Sequence, residues 1–167
     1  SFENISFFFA GIIIIINGLA GLVAQSAFIE TLSTVYGISN ISGTSLFGTV
    51  FSSIAGWIIW ASLLYIIGAK LFSETNTVVN FKNILIVVGY GHSPGIFRFF
   101  AVVPDLLIPI ILITEFWIIA SITIGIKETL CFRSNFKSLG VVLTSLLIML
   151  LTFVYLTSGG SNLTSLS

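Results

Sequence analysis

Ile5 to Ala24 reads Ile-Ser-Phe-Phe-Phe-Ala-Gly-Ile-Ile-Ile-Ile-Ile-Asn-Gly-Leu-Ala-Gly-Leu-Val-Ala, and the reading of this stretch decides the fold. It contains no charge. An α-helix rises 1.5 Å per residue, so a helix of this length covers about 30 Å, the hydrocarbon thickness of a bilayer. Four further apolar windows lie downstream between polar breaks, at about 47–69, 84–103, 106–126 and 139–156. The expected fold is therefore all-α, a polytopic transmembrane bundle of five helices. Glu30 to Ser45, rich in Ser, Thr, Asn and Gly, reads as a solvated loop, and residues 158–167 as a flexible tail.

The whole composition agrees. Of 167 residues 56% are hydrophobic and 7% charged, against roughly 25% charged in a soluble domain, and the mean hydropathy is +1.16. Too few charges exist to cover a water-facing surface. The formal net charge is zero and no polybasic run occurs, which sets aside nucleic acid as a partner. The chain begins at Ser1, so sequence upstream of it is expected.

Five spans place the two ends on opposite faces, and Lys and Arg set the orientation. Lys70 and Lys82 fall between spans two and three, and Lys127, Arg133 and Lys137 between spans four and five. The connection between spans one and two and the tail carry no Lys or Arg. The N-terminus and both basic loops are thus expected in the cytoplasm and the C-terminus outside or in a lumen. Arg98, in span three, is the exception to the pattern, which points to a pairing role.

Apolar burial does not drive helix against helix in lipid, so small residues and polar contacts must do so. Gly48, Ser52 and Gly56 form such a row in span two, expected to pack within the monomer, with self-association as the alternative. Trp57, Trp60 and Trp117 lie near mid-span and are expected to fill helix interfaces. In span three, Gly89-Tyr90-Gly91-His92-Ser93-Pro94-Gly95 interrupts the helix: Pro94 removes the bond to the Tyr90 carbonyl, which predicts a kink there. Glu115, near the middle of span four, needs a partner, because an ionisable group at that depth costs at least ~2.5 kcal/mol. The short turn at Pro104-Asp105 makes spans three and four a hairpin and brings residues equally distant from it to one depth. This predicts a polar cluster of His92, Arg98 and Glu115. It serves either as a tether or as a proton or solute pathway.

Enzyme chemistry finds little support. One histidine excludes a paired-His zinc site within the chain, and the single Cys131 excludes an internal disulfide and a thiolate cluster. No metal or other cofactor is expected. Ser45 with His92 is a poor serine-histidine dyad, and chance accounts for the Asn-x-Ser/Thr sequences at Asn4, Asn40 and Asn162.

Gly89-Tyr90-x-x-x-Pro94 in span three, and a fourth span carrying Trp117 and ending Gly125-Ile126-Lys127-Glu128 before a basic loop, resemble the Yip (Ypt-interacting protein) domain family. Those motifs lie between about 88 and 147, while the five-span pattern extends over most of the chain. The resemblance implies a membrane protein without catalysis. Eukaryotic relatives engage Rab-type GTPases in vesicle trafficking, and bacterial relatives share the membrane domain. The family's Asp-Leu-Tyr-Gly-Pro segment, expected before the first span, is not in this sequence. The implied function is a membrane adaptor or organiser in a bacterial inner membrane or an organelle membrane, acting on membrane or cytoplasmic proteins. The competing expectation is a small-solute or proton-coupled transporter or channel subunit using the polar residues of spans three and four.

Overall fold

The computed structural model describes residues 2–37, 45–72 and 79–163, and among them every regular element is helical. Helix α1 covers Phe2–Tyr36, α2 Leu46–Leu64, α3 Phe81–Gly91, α4 Leu107–Thr129 and α5 Asn135–Leu163. A π-helical turn, Tyr65–Leu71, prolongs α2, and a 3-10 helix, Ser93–Val102, prolongs α3. Among the described residues five segments are long and apolar enough to cross a membrane: Glu3–Val35, Leu46–Leu71, Phe81–Val102, Leu107–Thr129 and Asn135–Leu156.

Two boundaries differ from expectation. Helix α1 runs through Glu30 to Tyr36, in place of the first part of the expected solvated loop; the remainder of that loop, 38–44, lies outside the described residues. The hydroxyls of Thr31, Ser33 and Thr34 bond to carbonyls three or four residues back, so these polar side chains coexist with the helix. Gly37 then ends it in the left-handed region at φ 66°, the residue best suited to that conformation. Helix α5 likewise continues into the expected tail, as far as Leu163; residues 164–167 lie outside the described residues.

Span three forms the centre. Of its most apolar window 44% is buried, against 17–28% for the others. Helices α1, α2 and α4 pack directly on it, α5 packs on α2 and α4 rather than on span three, and the contact between α1 and α4 is slight. Tryptophans join α2 to span three and to α5: Trp57 Nε1 donates to the Leu85 carbonyl at 2.9 Å and Trp60 Nε1 to Ser145 Oγ at 2.9 Å. Both are buried, as interface residues should be, whereas Trp117 is exposed and stacks on Phe97 at 6.1 Å. Trp117 therefore does not fill a helix interface; it lies on the outer face of α4.

The basic connections gather at one end of the bundle. Lys82 Nζ donates to Asn4 Oδ1 at 2.5 Å, the Tyr65 and Phe81 rings meet edge to face, and Ser138 Oγ donates to the Thr123 carbonyl at 2.5 Å. The start of α1, the end of α2, the start of α3, the end of α4 and the start of α5 thus share a level. Lys70, Lys82 and Lys137 lay their ammonium groups over the rings of Tyr65, Phe7 and Phe132. Leu64, Ile84, Val88, Ile122, Ile126 and Leu130 fill the interior toward this end.

Helix α4 stops in a Schellman turn. Phe132 N donates to the Lys127 carbonyl at 3.0 Å and Cys131 N to that of Glu128 at 3.3 Å. Phe132 is thereby returned to the core, and Cys131 occupies the left-handed position at φ 55° where glycine is usual.

Candidate functional site

The glycine-rich motif of span three acts through close approach. A Cβ on Gly89 would lie 2.6 Å from Ala10 Cβ and 3.1 Å from its carbonyl oxygen, so α1 and α3 cross nearly backbone to backbone. Gly91 likewise admits Ile122 of α4, and Gly95 admits the Asn17 amide. Tyr90, between them, is exposed. The expected kink at Tyr90 takes another form: the α-helix ends at Gly91, and with Pro94 at its start a 3-10 helix continues through Val102. His92 N donates to the Gly89 carbonyl and Gly95 N to that of His92, which satisfies backbone groups around the break.

Ten residues is long for a 3-10 helix, and its period explains what it accomplishes. Three residues per turn align Gly95, Arg98 and Ala101 on one side, over about 12 Å. Asn17 and Ala24 of α1 are separated by about 10.5 Å of α-helix, so the two rows nearly match. Gly95 meets Asn17, Arg98 Nη1 donates to Asn17 Oδ1 at 3.1 Å, and Ala101 packs with Ala24. The other side of the 3-10 helix stacks Phe97 on Phe100 and on Trp117.

Arg98 also reaches α4, where Nη2 is ion-paired with Glu115 Oε1. One guanidinium thus joins α1, span three and α4. The Arg98 side chain is 15% exposed and that of Glu115 51%, so the carboxylate faces outward from the gap between α1 and α4.

His92 stands apart from this pair. Its Nδ1 lies 2.7 Å from the Val88 carbonyl and its ring meets Trp60 edge to face at 5.3 Å. The rise of the two helices separates them in depth. From Val102, Arg98 lies about 8 Å down the 3-10 helix and His92 about 20 Å, while Glu115 lies about 12 Å down α4 from Leu107. A 3-10 helix descends faster than an α-helix, so His92 falls below the level of Glu115. It borders instead a half-open cavity of about 160 Å³, together with Asn17, Ser52, Ser53, Gly56 and Trp60. Asn17 is therefore common to the cavity and the ion pair. Sequence reasoning finds it as one of the few polar side chains of span one, in the apolar run from Gly11 to Ala24, but does not place it in the cluster.

The row Gly48, Ser52, Gly56 is not where α2 is approached most closely. Ser52 is exposed, Gly48 adjoins the cap residue Ser45, and a Cβ on Gly56 would meet only the Met149 methyl, at 4.0 Å. The close crossing with α1 is at Gly18, where an added Cβ would lie 3.0 Å from Ser53 Cβ.

Ser45 caps α2, its Oγ accepting from Gly48 N at 3.1 Å, while His92 is engaged with Val88 and Trp60. Among the described residues no three His, Cys, Asp or Glu side chains come together as a metal site would require. Of the Asn-x-Ser/Thr sequences, Asn4 is bonded to Lys82 and Asn40 lies outside the described residues.

No family model, curated protein or solved structure matches this chain.

Proposed function

We propose that the protein is a non-enzymatic, multi-pass membrane adaptor or organiser of the Yip-domain type. In this reading its N-terminus and basic loops face the cytoplasm of a bacterium or of an organelle-bearing cell, and those loops engage other membrane or cytoplasmic proteins. The observation that carries it is the Arg98 tether. A guanidinium bonded to both Asn17 and Glu115 fastens three spans together, and the interior toward the basic end is packed with Leu64, Ile84, Ile122, Ile126 and Leu130. A rigid bundle with a solid base suits presentation of loops better than passage of a solute.

A second reading, a proton or small-solute pathway, draws on the cavity beside His92 and on Asn17, which joins that cavity to the ion pair. One pair of experiments separates the two. The adaptor predicts a protein co-purifying from native membranes that is lost when Lys127, Arg133 and Lys137 are replaced by Ala, and no Glu115-dependent flux in reconstituted vesicles. Solute flux abolished by Glu115→Gln, with no co-purifying protein, contradicts the adaptor and establishes transport.

A further inference from the structure

We infer that the gap between α1 and α4 is a seat for the headgroup of a phospholipid bearing a primary ammonium, with the ammonium on Glu115. The gap is a groove of about 330 Å³ with Arg98 at its floor, Gly21, Ala24, Gln25 and Phe28 along one wall and Ile111 and Glu115 along the other. Small residues keep it open: a Cβ on Gly21 would meet nothing within 4 Å. Because α1 and α4 barely touch, the groove opens sideways, where the surrounding molecules of a bilayer are lipids.

Depth supports a headgroup as occupant. Asn4 is fixed at the basic end through Lys82, and Gly21 lies about 26 Å farther along α1, close to the far edge of a hydrocarbon layer about 30 Å thick. Glu115 lies about 12 Å down α4 from Leu107 and its side chain leans back toward that edge, so a headgroup reaches it by dipping into the open side of the groove. A second hollow of about 380 Å³, bordered by Glu30, Thr31 and Thr34, continues the trough outward along α1.

Charge specifies the chemistry. Glu115 is half exposed and Arg98 largely covered, so the groove presents negative charge outward with positive charge beneath. A headgroup carrying both an ammonium and a phosphate complements that dipole. Quaternary ammonium groups, which have no N–H, are held by aromatic cages, and this groove has a single ring, Phe28. A primary ammonium instead donates to a carboxylate, as ethanolamine lipids do.

The test equilibrates the protein with vesicles of equal phosphatidylethanolamine and phosphatidylcholine and measures the lipid retained after purification by native mass spectrometry. Wild type retains the ethanolamine lipid preferentially. Glu115→Gln reduces that preference about tenfold, the effect of losing a charge-assisted hydrogen bond. Gly21→Leu, which fills open space without altering charge, reduces it as well while leaving the melting temperature unchanged. Equal retention of the two lipids by wild type, or an undiminished preference in Glu115→Gln, overturns the inference. So does displacement of the lipid by millimolar free ethanolamine, which would assign the seat to a soluble amine.

Discussion

Arg98 is the residue on which most depends, because it answers the cost of a carboxylate in lipid and of a half-buried amide at once. Arg98→Leu removes both bonds and leaves Asn17 and Glu115 without their common partner. It should destabilise the bundle by about 1–3 kcal/mol, whereas Glu115→Gln, which keeps an acceptor, should cost less; unfolding titrations in mixed micelles measure both. A smaller loss for Arg98→Leu than for Glu115→Gln contradicts the tether. Cys131 offers the opposite sign. It holds a left-handed conformation, unfavourable for a side chain by about 1–2 kcal/mol, so Cys131→Gly should raise stability by about 1 kcal/mol in the same titration. No gain there contradicts a strained Schellman turn.

At the scale of elements, the glycines of span three set the spacing. Gly89→Ala forces a methyl against Ala10 and should destabilise by about 1–3 kcal/mol. Ala10→Gly should restore only part of that loss, because the Ala10 Cα and carbonyl oxygen remain within 3.0 and 3.1 Å of the new methyl. Full rescue, or no initial loss, contradicts the close crossing. The helices themselves are readable from sequence, since uninterrupted apolar runs in lipid have few alternatives to an α-helix. The Arg98–Glu115 pairing comes from the short hairpin. Less accessible is the 3-10 helix: Pro94 announces a break, but the conformation beyond it depends on registering Gly95, Arg98 and Ala101 against α1, a tertiary requirement. An α-helical rise places His92 too high for that reason, and Asn17 is legible only as a polar residue of span one, because its importance comes from the residue it meets. The α2 row is a plausible pattern whose meaning depends on neighbours that composition does not specify. The π-helical turn has no sequence signal; its Gly68 lies where a side chain would collide with Leu130.

For the whole molecule, the arrangement is span three packed among α1, α2 and α4, with α5 on α2 and α4 and one open seam between α1 and α4. Basic residues conform to this plan, with the lysines and Arg133 at one end and the Arg98–Glu115 pair in the seam toward the other. That plan makes Cys131, exposed and unique in the sequence, a native reporter of the basic end. The most direct measurement is labelling by a membrane-impermeant thiol reagent in sealed, oriented vesicles. It compares wild type with Lys82→Cys and Phe47→Cys, each made in a Cys131→Ser background. The five-span account predicts that Cys131 and the Lys82→Cys thiol react from one and the same compartment and the Phe47→Cys thiol from the other. Labelling of Cys131 and of the Lys82→Cys thiol from opposite compartments would contradict it.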